Sequence, residues 1–255
     1  MLSGCGGSSS CPGGPASPRR LVPTVLRVIP HASDAFTQGL VVADGKIYES
    51  TGLEGRSTIR ILDLQTGAEL ARTKLPKPAF GEGLTIDARG RLVQLTWKDG
   101  TAYRWDRRTL QPLGTVSYDG EGWGLTTLRN GQLLMSDGSN RLTTRRAADF
   151  TEVRSVEVRR PSGPTDRLNE LEADGKVVWA NRWRTSQIFR IDVRCGWVKG
   201  VVDASGLTEA ARVQAGANGD PVDVLNGIAN VPGTNHFLLT GKCGLFIFEV
   251  QFHPP

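Results

Sequence analysis

The segment FGEGLT at 80–85 contains the residue of this sequence best suited to chemistry, the carboxylate of Glu82. Four segments with the same spacing recur along the chain: FTQGLV, GEGWGLT, RLNELE and VLNGIA. When all five are aligned on the residue before the shared Leu or Ile, the preceding position holds Gln38, Glu82, Trp123, Asn169 and Asn226. A packing position of a repeat is apolar and similar in every copy, whereas this one is polar or aromatic and differs in each. The pattern therefore predicts a site assembled from five repeats.

A second set of equivalent positions follows the next strand of each repeat. It consists of Gly52, Trp97, Gly138, Arg182 and Lys242, with Trp183 one residue later. If the repeats converge on an axis, both sets meet at one opening containing a carboxylate, an ammonium, amides and indoles, which is the usual appearance of a small-ligand site. A carboxylate enclosed by tryptophans is partly desolvated, which raises its pKa and suits it to moving protons.

The alternative interpretation of Glu82 is a hydrogen-bond acceptor that ties two strands together. The remaining indoles have a simpler interpretation. Trp105, Trp179 and Trp197 lie in predicted strand interiors or turns, so we predict that they are structural.

Several other kinds of site find no support in the sequence. The histidines, His31, His236 and His253, suggest neither a Ser/His or Cys/His pair nor a catalytic zinc cluster. The net charge of +5 is modest and the arginine pairs are scattered, so the sequence does not indicate a nucleic-acid partner. No apolar run approaches the roughly 18 residues needed to cross a bilayer. The chemistry predicted here needs one acid/base group, binding and orientation.

The elements that would position these residues follow from a regular series of turns. Asp-Gly, Asn-Gly and related pairs recur with their second residue at positions 45, 90, 131, 175 and 235, each followed by a strand rich in β-branched, aromatic or aliphatic residues. The first three intervals match the roughly 40–45 residues of a four-stranded propeller blade. The last is longer because 203–224 is inserted, where TEAARV predicts a turn of helix.

The sequence thus predicts an all-β fold, a five-bladed β-propeller whose four-stranded antiparallel blades surround a central channel. A β-sandwich is the alternative, which the regular period disfavours. The strand predicted at 24–30 stands outside the repeat and would supply the outer strand of the last blade. Recurrent aspartates at strand ends are expected to cap turns, namely Asp63, Asp106 and Asp192.

We predict one catalytic domain over 24–255, preceded by a flexible Gly/Ser/Pro-rich tether over 1–23. LSGC at 2–5 resembles the cleavage box of bacterial lipoproteins, in which Cys5 becomes the lipidated first residue. This predicts a periplasmic or other extracytoplasmic protein, anchored through lipid; the basic and apolar segments expected upstream are missing, so a chance match is the alternative. For Cys195 and Cys243, a mutual bridge and buried thiols are the two interpretations.

Ten segments resemble, in order and spacing, the plant and bacterial type of glutaminyl cyclase, the glutaminyl-peptide cyclotransferases. They run from about residue 31 to residue 250 and are FTQGL, YESTGLEGRS, FGEGLT, QLTW, GEGWGLT, MSDGS, RLNELE, WAN-W, DVLNGIA and LTGK. The resemblance implies a five-bladed propeller that closes the N-terminal glutamine of a peptide or protein to pyroglutamate and releases ammonia, with no catalytic zinc and no required cofactor.

The resemblance also assigns residues. The acid/base glutamate falls on Glu82, and the other residues with expected catalytic roles are Lys242 and Asn169, either of which would donate to an oxyanion. The residues expected to enclose the substrate are Phe36, Gln38, Trp97, Trp123 and Trp183. After LTGK the family usually continues with aromatic residues and a proline, whereas this chain has Cys243-Gly244-Leu245, so we expect an altered wall beside Lys242.

Two other functions are compatible with the predicted fold. The first is a calcium-dependent hydrolase or lactonase, for which oxygen ligands are offered by Glu49, Asp137, Glu170, Asn181 and Asn226. A structural calcium in a cyclotransferase would use the same chemistry. The second is a non-catalytic propeller that binds peptides. We predict a monomer, since closed propellers need no partner to cover strand edges.

Overall fold

The computed structural model describes residue 11 and the ranges 13–218 and 224–255. Within these ranges the protein is all-β apart from one α-helix, as the sequence predicts. No helix in this part of the chain is long and apolar enough to cross a membrane. Cys5 and the rest of the predicted lipidation segment lie outside the described residues.

The chain enters the fold through a long strand, β1 (Arg19–Pro30), and then builds three sheets of four antiparallel strands. The first sheet contains β2 (Thr37–Ala43), β3 (Lys46–Thr51), β4 (Thr58–Asp63) and β5 (Glu69–Lys74). The second contains β6 (Gly81–Ile86), β7 (Leu92–Thr96), β8 (Thr101–Trp105) and β9 (Pro112–Ser117). The third contains β10 (Leu125–Thr127), β11 (Leu133–Ser136), β12 (Arg141–Arg145) and β13 (Glu152–Glu157).

A short hairpin, β14 (Arg159–Arg160) and β15 (Gly163–Pro164), leads to the last two groups of strands. One group is β16 (Leu168–Asp174), β17 (Val177–Arg182), β18 (Gln187–Asp192) and β19 (Val198–Asp203). After the helix α1 (Ser205–Asn218) come β20 (Leu225–Asn230), β21 (His236–Gly241) and β22 (Phe246–His253). The helix is longer than the single turn predicted within the insertion.

Strand β1 joins these last two groups into one eight-stranded sheet. It pairs antiparallel with β22, from Val22 opposite His253 to Pro30 opposite Phe246. This confirms that the N-terminal strand supplies the fourth strand of the last group. Its first residues also pair in parallel with β19, from Arg19 opposite Gly200 to Leu21 opposite Val202, a contact that the sequence does not predict.

The predicted turns all lie between the first and second strands of their groups. In the first of them Asp44 and Gly45 have φ angles of 51° and 68°, the positive values required by a two-residue hairpin. The aspartates at strand ends cap turns as expected. For example, Asp63 Oδ1 accepts hydrogen bonds from the backbone N–H of Gln65 at 3.0 Å and of Thr66 at 2.8 Å.

Burial decreases from the first strand of each group to the last. Strands β6 and β7 are buried along almost their whole length, whereas β9 and β13 are mostly exposed. The first strands contact one another in the cyclic order β2, β6, β10, β16, β20 and back to β2. Apolar clusters fill the spaces between neighbouring groups, as where Leu84 packs with Tyr48 and Ile59. Burying such side chains supplies about 1.5–3 kcal/mol each.

The glycines of the repeated segments let the first strands approach closely. A Cβ atom on Gly83 would lie 2.5 Å from the backbone nitrogen of Leu125, and one on Gly124 would lie 2.1 Å from the carbonyl oxygen of Asn169. No side chain fits at these separations, so Gly83 and Gly124 are required for the close approach of β6, β10 and β16. In the fourth repeat Glu170 occupies the equivalent position.

Two predictions about the N-terminal region and the cysteines need correction. Cys195 forms a disulfide with Cys11, with a Cα–Cα distance of 5.6 Å, and not with Cys243. The reason is topological, since Cys195 lies in the turn between β18 and β19, beside the chain that enters β1. The first strand begins at Arg19, rather than at residue 24 as predicted, because Arg19–Leu21 pair with β19.

Candidate active site

One cavity of about 200 Å³ gathers the predicted site residues. It is lined by Phe36, Gln38, Phe80, Glu82, Trp97, Trp123, Asn169, Trp183 and Lys242. All of the predicted catalytic and substrate-binding residues are therefore brought together, with Phe80 in addition. A cavity of this size suits one amino-acid side chain better than a larger ligand.

Bulges in the first strands aim the polar side chains. The pairing of β2 with β3 shifts register between Thr37 and Gly39, at Gln38. Register also shifts in β6 between Gly81 and Leu84, at Glu82. The same irregularity occurs in β16 and β20, around Asn169 and Asn226. A bulge leaves a residue outside the ladder and re-aims its side chain, so one local distortion, repeated in four strands, sets the direction of these polar side chains.

Glu82 is buried, with 5% of its surface exposed, and is held by a chain of amides. Asn226 Nδ2 donates to Gln38 Oε1 at 3.0 Å, and Gln38 Nε2 donates to Glu82 Oε1 at 2.8 Å. Asn226 is fully buried behind Gln38 and does not line the cavity. Burial raises the pKa of Glu82 well above its ordinary value; the charge of Lys242 opposes this effect, and that of Glu121 adds to it.

Two further polar groups face the same space. Lys242 is buried, and its Nζ lies 4.7 Å from the centroid of the Phe36 ring. Asn169 Oδ1 is buried and has no hydrogen-bond partner within the described ranges. No described group accepts from Asn169 Nδ2 either, so its N–H donors are left for a ligand.

The aromatic residues form two connected walls. Phe80 packs edge-on against Phe36 and Trp97, with ring centroids 6.1 and 5.6 Å apart. Trp123 packs edge-on against Trp183 at 5.4 Å. The walls are joined by Glu121, whose Oε2 accepts from Trp97 Nε1 at 2.8 Å and from Trp123 Nε1 at 2.9 Å.

The second set of equivalent positions contributes unevenly. Trp97 and Lys242 line the cavity, but Arg182 does not and instead pairs with Asp166 at 3.1 Å. The glycines of the set make room for rings. A Cβ on Gly52 would lie 2.4 Å from Phe80, and one on Gly138 would lie 2.6 Å from Trp123.

A family model for glutamine cyclotransferases matches residues 2–252. The chain belongs to the glutamine cyclotransferase family. It is 36% identical over 231 residues to a glutaminyl-peptide cyclotransferase of Arabidopsis thaliana, covering 89% of this chain and 70% of that protein. It is 41% identical to the crystallised glutaminyl cyclase of Myxococcus xanthus, with a TM-score of 0.84 over 92% of this chain and 98% of the other.

Within this member of the glutamine cyclotransferase family, Phe80 and Glu121 belong to the site, although the repeat pattern did not single them out. A signal for both was present. They lie two residues before Glu82 and Trp123, which is the position of Phe36 relative to Gln38. A third set of equivalent positions, two residues before Gln38, Glu82 and their counterparts, would have predicted Phe80. It would not have predicted the hydrogen bonds of Glu121, which depend on how two loops meet.

The three indoles predicted to be structural do not line this cavity. Trp105, for example, is buried and donates its Nε1–H to Gln94 Oε1 at 3.1 Å.

Most of the oxygen atoms considered for calcium are engaged by protein groups, whereas Asn226 Oδ1 is buried and has no hydrogen-bond partner among the described residues. Glu49 accepts from His31, Arg60 and Thr37, and Glu170 accepts from the backbone N–H of Leu40 and Ile228. The described residues contain no group of three or more His, Cys, Asp or Glu side chains placed to hold a metal ion. A structural calcium stays a prediction.

Proposed function

We propose that this protein is a glutaminyl-peptide cyclotransferase that converts the N-terminal glutamine of peptides and proteins to pyroglutamate and releases ammonia. The observation that carries the proposal is the buried carboxylate of Glu82 in an aromatic cavity that also contains Lys242. The Arabidopsis and Myxococcus relatives have names that state the same activity. The size of the cavity matches a substrate that inserts a single side chain.

In the proposed reaction the α-amine of the substrate attacks the carbonyl carbon of its own side-chain amide. An α-amine has a pKa near 8, so a base must keep it uncharged during attack at neutral pH. Glu82 accepts a proton from this amine as the new C–N bond forms. It then returns the proton to the amide nitrogen, whose bond to carbon breaks as ammonia leaves. A raised pKa suits one carboxylate to both steps.

The tetrahedral intermediate carries a negative oxygen that needs donors. Lys242, a donor-only cation beside the cavity, and the unengaged N–H groups of Asn169 are the residues proposed to stabilise it. Gln38 keeps the Glu82 carboxylate in position through its 2.8 Å hydrogen bond.

The rings are proposed to do two things. Trp97, Trp123 and Trp183, with Phe36 and Phe80, hold the glutamine side chain folded so that the amine faces the γ-carbonyl carbon. They also exclude water, which would otherwise hydrolyse the amide. No step requires a metal ion.

We further propose that the four-stranded groups are the blades of a five-bladed propeller. The cyclic contacts of β2, β6, β10, β16 and β20 support this arrangement, as does the decrease in burial from first to fourth strands. Strand β1 would close the propeller by completing the blade of β20–β22 while also pairing with β19.

An extracytoplasmic location is proposed as well. The disulfide between Cys11 and Cys195 supports it, since such bonds persist in oxidising compartments. Lipidation at Cys5 and a monomeric state complete the proposal. Sedimentation of the purified protein and mass analysis of its mature N-terminus would check both.

The test of the activity is incubation with a Gln-initiated peptide, followed by mass analysis for loss of ammonia and an independent ammonia assay. We expect turnover by the wild-type protein, unchanged by exhaustive chelation, and a loss of roughly 10²–10⁴-fold in kcat for Glu82→Gln. Glu152→Gln, a change at an exposed glutamate of β13, is the matched control. A Glu82→Gln protein with normal turnover would exclude the mechanism, and binding without turnover by the wild type would favour a non-catalytic propeller.

A further inference from the structure

Glu121 connects two walls of the cavity through a single oxygen atom. Its Oε2 accepts from the indole N–H of Trp97 at 2.8 Å and from that of Trp123 at 2.9 Å. Trp97 immediately follows β7 of the second sheet, and Trp123 precedes β10 of the third. One side chain therefore fixes the separation of rings that come from two different sheets.

The repeat makes the substitution at this position informative. Phe36 and Phe80 occupy the equivalent positions of the first two repeats, and both of their rings line the cavity. At Glu121 a carboxylate replaces the ring and does not line the cavity, although it bonds to two indoles that do. This position therefore contributes a ring to the cavity in the first two repeats and an acceptor for two cavity indoles in the third.

An exposed ion pair with Lys98 accompanies the two hydrogen bonds of Glu121. Lys98 Nζ lies 3.8 Å from Glu121 Oε1 and 4.0 Å from the centroid of the Trp97 ring. Hydrogen bonds to an ionised acceptor are stronger and more directional than those between neutral groups. The arrangement of Lys98, Glu121 and the two indoles is thus a connected charge-assisted network rather than an isolated contact.

We propose that Glu121 is a positioning residue of the cyclotransferase site, which sets the spacing of Trp97 and Trp123 and so the fit of the pocket to a folded glutamine side chain. This inference rests on the proposed function for its catalytic readout. Its structural part, the joint fixing of two indoles, does not. Because ring closure depends on holding the amine near the carbonyl carbon, a small change in wall spacing has a large effect on rate.

The charge of Glu121 has a second, separable effect. Together with burial, which is the main cause, it raises the pKa of Glu82, whereas Lys242 acts in the opposite direction. Removing the charge while keeping an acceptor should lower the pKa of Glu82 and leave the walls in place. Removing both the charge and the acceptor should also loosen the two aromatic walls.

Two variants and one control separate these effects. Glu121→Ala removes both hydrogen bonds, and Glu121→Gln keeps a carbonyl oxygen that accepts from the indoles but carries no charge. The control is Glu152→Ala, because Glu152 is matched in exposure, at 43% against 41% for the Glu121 side chain, and also pairs with a cation, Arg141.

We expect Glu121→Ala to lower kcat/KM for a Gln-initiated peptide by between about tenfold and 10²-fold, through a lower kcat and a higher KM. Glu121→Gln should restore KM to within about threefold of wild type while shifting the acid limb of the pH profile to lower pH. Glu152→Ala should behave as wild type. A Glu121→Ala enzyme within twofold of wild type, or a Glu121→Gln enzyme with the KM of the alanine variant, would overturn the proposal.

A measurement without substrate keeps the two proposals distinct. Near-ultraviolet circular dichroism should differ between wild type and Glu121→Ala, because the two indoles lose their fixed orientation. The difference should vanish in a Trp97→Phe/Trp123→Phe background. An unchanged spectrum would contradict the positioning role even if the enzyme were active. An inactive wild type with the expected spectral change would contradict the proposed function alone.

Discussion

Lys242 and Glu82 act on each other through charge within one cavity. Burial raises the pKa of Glu82, and the Lys242 cation limits that rise. In the proposed reaction Glu82 must be ionised to accept a proton from the substrate amine, so the position of its pKa would decide the lowest pH at which the enzyme works. The lysine would therefore set the acid limb of activity in addition to stabilising the oxyanion.

Lys242→Met removes the cation and keeps a long apolar side chain. The pKa of Glu82 should then rise further, and the acid limb of kcat/KM against pH should move to higher pH. We also expect kcat to fall by roughly 10²–10³-fold if Lys242 is the main oxyanion donor. The measurement is the pH profile of the variant beside that of Lys74→Met, a change at an exposed lysine at the end of β5. A limb that stays in place or moves to lower pH would contradict the assignment.

At the scale of single residues, the sequence predicts most of the site because five repeats can be aligned and their equivalent positions converge. Gln38, Glu82 and Asn169 could be placed together without knowing the bulges that aim them. Glu121 could not be assigned in the same way. Its role comes from two hydrogen bonds to indoles of different sheets, and such contacts have no counterpart in a one-dimensional pattern.

The element that carries Lys242 is fixed by the segment between β1 and β2. The backbone N–H of His31 donates to Leu245 O at 2.8 Å, and His31 Nδ1 donates to Gly244 O at 2.7 Å. Cys243 N donates to Ala35 O at 2.8 Å. These bonds attach the turn after β21 to the segment between β1 and β2.

Behind His31 lies a buried ionic network. His31 Nε2 is 3.0 Å from Glu49 Oε1, and Arg60 bonds to the other oxygen of the same carboxylate. Burial raises the pKa of Glu49, but the charges of His31 and Arg60 and the hydrogen bonds from His31 and Thr37 outweigh it and lower the pKa to about 2. The network is thus a stabilising link between the first sheet and the turn that carries Lys242.

The sign of its pH dependence follows from the lowered pKa. A carboxylate with a folded pKa of about 2 and an ordinary value of 4.5 stabilises the fold fully above pH 4.5, and the contribution disappears as the pH falls through 2. This contribution of Glu49 to the free energy of unfolding is on the order of 3 kcal/mol.

Glu49→Gln should accordingly lower the free energy of unfolding at pH 7 and flatten its decline between pH 5 and 2. Glu249→Gln is a control of similar chemistry, because Glu249 also pairs with an arginine and a histidine, Arg27 and His236. Glu249 lies on β22 and is more exposed than Glu49, so its loss should lower the free energy of unfolding less. Denaturant titrations across this pH range would measure the effect. Equal losses for the two variants would show that burial of the Glu49 network adds nothing.

The elements themselves were predictable where the signal is local. Asp44-Gly45 and its equivalents predicted the hairpins, and the aspartate caps followed from their position at strand ends. The parallel pairing of Arg19–Leu21 with β19 and the bond between Cys11 and Cys195 were missed. Both join positions that are far apart in the chain, and nothing in the residues near Cys11 specifies which distant turn it meets.

At the scale of the whole molecule, two devices hold the chain ends. Strand β1 pairs with β22 and β19, and the disulfide joins Cys11 to Cys195 across a sequence separation of 184 residues. A bond that closes so long a loop restricts the unfolded chain strongly, and disulfides of this kind typically contribute about 2–5 kcal/mol. It lies beside β1 and β19, whereas the cavity is lined by residues of the first strands and of the segments next to the first and second strands.

Stability and catalysis should therefore respond differently to the loss of this bond. We expect Cys11→Ser to lower Tm by roughly 5–15 °C while kcat/KM at 25 °C stays within about twofold of wild type. Dithiothreitol should reduce the Tm of the wild type to the same extent and have no further effect on Cys11→Ser. Cys243→Ser, which leaves the disulfide intact, should keep both the wild-type Tm and its sensitivity to dithiothreitol. A large loss of kcat/KM at 25 °C in Cys11→Ser would instead show that the disulfide and the cavity are mechanically coupled.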